Sequence, residues 1–155
     1  MNISVITISD RASQGIYEDR SGPAIEAILR ETIDGCIVAR RIVPDERDEI
    51  VQSFTNDSNA DAIITTGGTG LSPRDITPDV TAEYCDRLIP GIAEIIRSES
   101  YKETPNAMLS RGIAGIKGTT IIINFPGSQR AAEFYARLVA PVLVHAVKMI
   151  AGEGH

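Results

Sequence analysis

Hydrophobic positions along the chain alternate between a strand-like and a helix-like period. Short apolar runs at 3–8, 62–65 and 119–124 predict β-strands, and apolar residues recur at helical spacing between and after them. Strands that alternate with helices are typical of parallel sheets with helical layers. The pattern therefore predicts a three-layer α/β fold with a mostly parallel sheet and helices on both faces.

Polar and helix-breaking residues refine the predicted elements. A further strand at 36–43 carries Arg40 and Arg41, which indicates an exposed end or edge of the sheet. Ser21 is predicted to cap a helix that has Pro23 just inside it. Other helices are predicted from Pro44-Asp45-Glu46, from Thr77 through about Arg87, from Ile92 to Glu103 after a break at Pro90-Gly91, and after Ser128, where Phe134, Leu138, Val142 and Val147 are expected to face inward.

Length and composition narrow the function classes. The 155 residues suit a single domain, 1–155, and the net charge of −6 argues against nucleic acid as a partner. No stretch is apolar enough to span a bilayer, so no membrane association is expected. Cys36 and Cys85 have no metal-ligand spacing, which favours reduced thiols and a cytoplasmic protein.

The unusual residues follow predicted strands. Ser9-Asp10, Thr66–Gly70 and Asn124–Ser128 each come directly after one. Ligands of open parallel sheets bind outside the carboxyl ends of the strands, so these three turns are expected to converge on one site. Glycine permits close backbone approach and helix N-termini favour anions, so the expected ligand is a phosphate ester.

The glycine-rich segment 65–70, Thr-Thr-Gly-Gly-Thr-Gly, fits neither common phosphate motif. No Gly-Lys-Ser/Thr follows it, which excludes a P-loop, and the third glycine of a dinucleotide fingerprint is missing. A tight turn without a ligand is the alternative interpretation. Its hydroxyls and glycines at a strand end favour a phosphate cradle.

Two carboxylates stand out. Asp45 before a predicted helix suits an N-cap, with Asp48 three residues later. Asp75 lies in the loop between the glycine turn and a helix, where a carboxylate beside a phosphate needs a compensating cation. Such a pair would suit Mg²⁺ held mostly through water and substrate phosphates.

The remaining chemistry is sparse. Arginines near the turns could neutralise phosphate, although solvated surface positions are the alternative; they are Arg11, Arg20, Arg74, Arg111 and Arg130. His145 is expected to be a packed helix residue. Without a Ser-His or Cys-His arrangement, covalent catalysis is not expected. Ser110, before Gly112, is a possible ligand contact.

Taken together, the motifs resemble the molybdopterin adenylyltransferases of molybdenum cofactor biosynthesis, the bacterial MogA type and the G domains of plant and animal homologues. The resemblance covers nearly the whole chain. It rests on segments 9–13, 17–22, 43–46, 65–70, 72–79 (Ser-Pro-Arg-Asp-Ile-Thr-Pro-Asp), 90–91, 104–111 and 122–128.

This resemblance implies a homotrimer that transfers AMP from ATP to the terminal phosphate of molybdopterin and releases pyrophosphate. It implies a requirement for Mg²⁺ and a hand-off of the product to a molybdate-inserting MoeA-type protein. Asp45 and Asp75 match the family's two essential carboxylates and are expected to hold Mg²⁺. The implied substrate and nucleotide contacts are Ser9, Asp10, Thr66, Gly67, Gly68, Thr69, Gly70, Arg74, Ser110, Asn124, Pro126, Gly127 and Ser128.

Other functions remain open on the sequence alone. A MoaB-type paralogue could bind molybdopterin as a non-catalytic scaffold, and a hydrolase related to the competence-damage-inducible proteins could cleave a nucleotide without a pterin. One departure from the family pattern is Gln129-Arg130, where members often have Pro-Lys. Arginine keeps the charge but differs from lysine in reach and geometry.

Overall fold

A six-stranded sheet forms the centre of the computed structural model, which describes residues 1–153; positions 154 and 155 of the predicted domain lie outside the described residues. The sheet order is β2-β1-β3-β6-β5-β4. β1, β2, β3 and β6 are mutually parallel, while β4 and β5 complete the sheet antiparallel. The strands are β1 Asn2–Ile8, β2 Ile37–Val43, β3 Ala62–Thr66, β4 Arg87–Leu88, β5 Ala114–Lys117 and β6 Thr120–Phe125.

Helices cover both faces of the sheet, which confirms the predicted three-layer architecture. Along β1, Ile3 and Val5 belong to one core, with Ile6 and Ile8 in the other. Side chains alternate between the two faces of a strand, so a central parallel strand must be apolar at nearly every position. The helices are α1 Asp10–Ser13, α2 Ser21–Thr32, α3 Arg47–Asn56, α4 Thr77–Tyr84, α5 Pro90–Tyr101 and α6 Gln129–Ile150, with a 3₁₀ turn at Pro105–Leu109.

The antiparallel half of the sheet departs from the predicted elements. The helix expected to run to about Arg87 ends at Tyr84, because Arg87 and Leu88 pair with β5 instead. β5 itself is a short strand joined to β6 through Gly118. Its four residues carry too little apolar pattern to be recognised as a strand. Pro90 and Gly91, predicted to form a break before the helix, are the first two residues of α5.

The edge position predicted for β2 is confirmed, whereas the predicted cap of α2 is wrong. β2 has a neighbour on one side only, so its polar side chains can reach water. Ser21 is the first residue of α2 and does not cap it. The Asp19 carboxylate accepts from the Gly22 N–H at 3.0 Å and from the Ser21 hydroxyl at 3.2 Å. A carboxylate at a helix N-terminus favours the exposed amides there.

The inward face of α6 differs by one position from the predicted face. Its buried residues are Ala132, Tyr135, Ala136, Val139, Ala140 and Leu143. Val142 is 54% exposed, and Phe134, Leu138 and Val147 are half-buried. Three of the six buried residues are alanines, and such small side chains do not mark a face in a hydrophobicity pattern. His145 is expected to be packed, but it lies on the exposed side of the helix because the buried face is shifted.

None of the helices in residues 1–153 is both long and apolar enough to cross a membrane.

Adjacent isoleucines on α5 test how the helix faces the sheet. Ile96 is 4% exposed and Ile95 is 59% exposed. Ile96→Ala should lower the free energy of unfolding by about 2–5 kcal/mol, because it removes buried methyl groups and leaves a cavity. Ile95→Ala should change it by no more than about 0.5 kcal/mol. Urea unfolding measures both, and equal losses would contradict the orientation of α5.

Candidate active site

The turns after β1, β3 and β6 meet at the carboxyl edge of the sheet, as expected for parallel neighbours. The Gly67 N–H donates to the Phe125 carbonyl at 3.1 Å, and the Thr66 hydroxyl donates to the Pro126 carbonyl at 2.7 Å. A side chain at Gly127 would begin 3.3 Å from the Gly67 Cα. The turns at 66–70 and 124–128 are therefore packed directly against each other.

The turn that follows β3 requires glycine at two positions. Gly67 and Gly68 have φ angles of +107° and +64°, a region that other residues rarely occupy. A β-carbon at Gly67 would overlap the Ile8 carbonyl oxygen, and one at Gly68 would overlap the Thr77 hydroxyl. That hydroxyl instead donates to the Gly67 carbonyl at 3.1 Å. We call residues 67–70 the glycine turn.

One cavity lies between the glycine turn and the end of β1. It encloses about 240 Å³. Most of the residues that line it have polar side chains, which suits a charged or strongly polar ligand. The lining residues are Thr7, Ile8, Ser9, Ala12, Tyr17, Asp19, Ser21, Asp45, Thr66, Gly67, Gly68, Asp75 and Gly127. We call it the polar cavity.

Asp45 is tied to Asp10 across the end of the β1–β2 pair. The Asp10 N–H donates to Asp45 Oδ2 at 2.8 Å, and the Asp45 N–H donates to Asp10 Oδ1 at 3.0 Å. The sequence favours Asp45 as the N-cap of α3, and this prediction is wrong. The helix begins at Arg47, and no side chain caps it. Burial, the largest cause, and the nearby carboxylates Asp10 and Asp75 raise the pKa of Asp45.

Asp10 and Arg74 form an ion pair beside the polar cavity. Arg74 donates to Asp10 Oδ2 from Nη2 at 2.7 Å and also contacts Glu46 at 2.8 Å. The hydrogen bond from Arg74 is the main cause that lowers the pKa of Asp10. Arg74, which the sequence offers as a phosphate ligand, already has two carboxylate partners and lies outside the cavity wall. Its observed contacts therefore bridge α1 to the start of α3.

Asp75 lies in the loop that follows the glycine turn and lines the polar cavity together with Asp45. Its Oδ2 accepts from the Ser72 N–H at 2.9 Å and would lie 2.9 Å from a β-carbon at Gly70. Its backbone carbonyl accepts from Arg111 Nη1 at 3.0 Å, and the Arg111 N–H donates to the Thr69 carbonyl at 2.9 Å. Arg111 thus joins the Asp75 loop to the glycine turn.

A second cavity lies on the far side of the glycine turn and encloses about 280 Å³. Among the described residues, no charged side chain lines it, and its mostly apolar wall includes a few hydroxyl and amide groups. Its lining residues are Thr69, Gly70, Ser100, Thr104, Asn106, Ala107, Leu109, Ser110, Pro126, Ala131 and Tyr135. We call it the mixed cavity. Gly67 and Gly68 therefore line the polar cavity, and Thr69 and Gly70 line the mixed one.

Asn124 lies beneath the site rather than in either cavity. Its side-chain amide is 2% exposed and donates to the Thr65 and Thr81 hydroxyls at 3.0 and 2.9 Å. Its Oδ1 accepts from the Ile113 N–H at 3.3 Å. Because both amide hydrogens are used inside the protein, the observed contacts hold β6 against its neighbours. They do not present Asn124 to a ligand.

Two of the predicted site serines have structural roles at helix ends. Ser9 caps α1 and accepts from the Ala12 N–H at 3.2 Å, while Ser128 caps α6 and accepts from the Ala131 N–H at 3.4 Å. The N-terminus of the 22-residue helix α6 therefore points at the site, where its amides favour an anion. Ser9 also lines the polar cavity.

The structure adds Tyr17, Asp19 and Ser100 to the residues that the sequence places in the site. Tyr17 and Asp19 line the polar cavity, and Ser100 lines the mixed one. Among the other arginines, Arg11 lies over the Tyr17 ring at 5.7 Å and Arg130 pairs with Glu103 at 3.1 Å. Tyr17 and Asp19 belong to the family segment 17–22, but that segment alone does not show that they line a cavity, because they reach it only through the packing of separate elements.

The carboxylates of Asp45 and Asp75 in the polar cavity are compatible with a bound Mg²⁺ ion. Residues 1–153 contain no group of three or more histidine, cysteine or acidic side chains suited to hold a metal. Asp45 and Asp75 line the same cavity, and Oδ1 of each accepts no hydrogen bond from the described residues. Mg²⁺ commonly takes one or two carboxylates and completes its shell with water and substrate phosphates. The pair fits that pattern.

An α/β sheet with a glycine turn, acidic side chains and a helix N-terminus at one edge is typical of the class of α/β domains that bind a ligand at the carboxyl ends of the strands. Residues 4–145 match the family described as "probable molybdopterin binding domain", and the chain belongs to that family.

Relatives of known structure or name support the assignment. The chain is 41% identical over 98% of its length to the molybdopterin adenylyltransferase of Helicobacter pylori strain 26695 and covers 89% of that protein. A MogA structure superposes with a TM-score of 0.90 at 36% identity, covering 97% of this chain and 99% of that one. The molybdopterin biosynthesis enzyme MoaB of Thermus thermophilus has a TM-score of 0.86 at 39% identity, with coverage of 97% and 96%.

Asp45 gives a pH-dependent stability prediction. Since burial raises its pKa, the folded protein favours the protonated form and ionisation at neutral pH is destabilising. Asp45→Asn keeps an oxygen for the Asp10 N–H and carries no charge. The variant should melt at a higher temperature than the parent at pH 7. That difference should shrink as the pH falls through the raised pKa of Asp45. A lower melting temperature at pH 7 would show that the carboxylate stabilises the fold.

Proposed function

We propose that this protein is a molybdopterin adenylyltransferase that transfers AMP from ATP to the terminal phosphate of molybdopterin. The observation that carries the proposal is the shared wall: a single glycine turn separates two cavities of contrasting polarity. Two substrates bound on either side of four residues can bring their phosphates together at the turn. Relatives named molybdopterin adenylyltransferase, such as that of H. pylori, support the same activity.

The polar cavity suits the nucleotide phosphates, and the mixed cavity suits the pterin. Hydroxyl groups, the glycine backbone and the carboxylate pair surround the first. The second offers the Pro126, Leu109 and Tyr135 side chains as apolar walls for a heterocycle. Ser110, at the exit of the 3₁₀ turn, lies in the mixed cavity, which agrees with the pterin contact implied by the family resemblance.

The reaction needs little acid–base machinery. A phosphate monoester is largely dianionic near neutral pH, since its second pKa is about 6. One of its oxygens attacks the α-phosphorus of ATP, a new P–O bond forms, and the bond from that phosphorus to the β-phosphate bridging oxygen breaks. Pyrophosphate leaves with the bonding electrons. Catalysis then consists of positioning and charge stabilisation.

The chain's own groups position the reacting phosphates. The glycine turn offers backbone close to the ligand, and the N-terminus of α6 favours negative charge beside it. Asp45 and Asp75 would hold Mg²⁺ together with the ATP phosphates. When bound, that ion would neutralise negative charge on the triphosphate and the departing pyrophosphate. The Asp10–Asp45 pair and the Arg111 link fix where the two carboxylates stand.

Assembly and cellular context extend the proposal. We propose a homotrimer, for which the exposed apolar side chains Met108, Val142 and Met149 offer contact surface. A cytoplasmic location agrees with the two cysteines, which form no disulfide. The adenylylated product would pass to a molybdate-inserting MoeA-type protein.

A pyrophosphate-release assay tests the activity. Purified protein is incubated with ATP, Mg²⁺ and freshly prepared molybdopterin, and each component is omitted in turn. Release that requires the pterin, with an AMP–pterin product in the mass spectrum, is the expected result. Pterin binding without release would favour a non-catalytic MoaB-type scaffold. Release without pterin would favour a nucleotide hydrolase.

A substitution at Asp75 tests whether its carboxylate takes part in AMP transfer. Asp75→Asn should keep the fold and lower the rate of AMP transfer by roughly 10²–10³-fold, the usual cost of removing one electrostatic group from such a site. Asp34→Asn is the matched control, because Asp34 is exposed and makes no side-chain hydrogen bond within the described residues. Full activity of Asp75→Asn would remove this carboxylate from the mechanism.

A further inference from the structure

Ser100 has a hydroxyl group without a partner. The residue lies in the last turn of α5 and is 6% exposed. Among the side chains of residues 1–153, its Oγ is the only buried nitrogen or oxygen atom that makes no hydrogen bond. Burying a hydroxyl without a partner is unfavourable, so the exception calls for a physical reason.

Comparable serines and threonines in the same fold are satisfied. Ser53, which is 3% exposed on α3, donates to the Ile50 carbonyl at 2.7 Å. Thr81, fully buried on α4, donates to the Thr77 carbonyl at 2.9 Å. A helical serine can usually bond to a carbonyl in the preceding turn. Ser100 makes no such bond, although its position in α5 provides the same opportunity.

Ser100 stands where two cavities meet. It lines the mixed cavity and also a neighbouring cavity of about 480 Å³, and the two share Thr104 and Ala131 as well. The larger cavity is bordered by Glu103 and Arg130, which pair with each other. A ligand that fills the mixed cavity and reaches toward the larger one must pass over Ser100.

We infer that the Ser100 hydroxyl is a ligand contact that pairs with a polar edge of the pterin ring. This inference rests on the proposed function, which places the pterin in the mixed cavity. A neutral hydroxyl both donates and accepts, and it matches the alternating donors and acceptors of a pterin edge. Among the described residues, the mixed cavity has neither a cation nor the carboxylates that could hold Mg²⁺, so a phosphate is the poorer match at this position.

The inference predicts opposite effects on binding and stability. In Ser100→Ala, the ligand-free protein loses a hydroxyl that had no partner, so its melting temperature should stay the same or rise. The affinity for molybdopterin should fall by roughly threefold to tenfold, the value of one neutral hydrogen bond. The KM for ATP should not change, because the polar cavity lies across the glycine turn.

Ser53→Ala is the matched control. Its hydroxyl has the same burial but donates to a carbonyl on a helix that lines neither cavity. This variant should lower the melting temperature and leave the affinity for molybdopterin unchanged. Thermal unfolding measures stability, and titration of molybdopterin in the absence of ATP measures binding, for both variants and the parent.

The outcomes separate this inference from the proposed function. Equal molybdopterin affinity of Ser100→Ala and the parent would overturn the role of Ser100 while the proposed activity stands. A lower melting temperature of Ser100→Ala with unchanged affinity would assign the hydroxyl to the fold. If the parent itself fails to bind molybdopterin, the proposed function fails, and the pterin contact fails with it.

Discussion

The close approach of the glycine turn to the end of β1 is the constraint on which the site depends. Left-handed backbone at Gly67 and Gly68 lets the chain pass directly over the Ile8 carbonyl and the Thr77 hydroxyl. Any side chain at those positions would push the turn away from the sheet. The same turn forms one wall of each cavity, so its position determines both shapes. The rest of the fold holds the four residues of the glycine turn, 67–70, in place.

Long-range pairs fix the side chains around this turn. At the ends of β1 and β2, the backbone N–H groups of Asp10 and Asp45 each donate to the other residue's carboxylate, and Arg111 ties the Asp75 loop to Thr69. Asn124 performs the same task beneath the sheet edge by joining β3, α4 and β6. Positioning of this kind is what a phosphoryl-type transfer needs, since the reacting phosphates already carry the nucleophilic oxygen.

The site also contains features that do not favour folding. The raised pKa of Asp45 and the unpartnered hydroxyl of Ser100 are both consequences of burying polar groups. Two extensive apolar cores, one on each face of the sheet, outweigh these local costs. Such exceptions are expected to gather where a protein binds its ligands.

The parallel core and the convergence of three turns follow from sequence, because apolar strands and the residues after them are local patterns. The strand β5 and the buried face of α6 could not be predicted in this way, because alanine and glycine carry little periodic signal. β5 forms only because its four residues pair with β6. The partners of Asp45 and Arg74 lie far away in the chain, so sequence suggests a helix cap and a phosphate ligand. Sequence alone does not identify Ser100 as a site residue, because its importance lies in a missing contact.

Simultaneous occupation of the two cavities tests the central claim most directly. A non-cleavable ATP analogue with a methylene bridge between its α- and β-phosphates can be titrated calorimetrically into the protein with Mg²⁺. The titration is done with the protein alone and with the protein saturated with molybdopterin. The account predicts that one equivalent of the analogue binds per chain in both titrations, because the ligands lie on opposite sides of the glycine turn. Loss of analogue binding in the presence of molybdopterin would show that the two compete for one site, which would contradict the account.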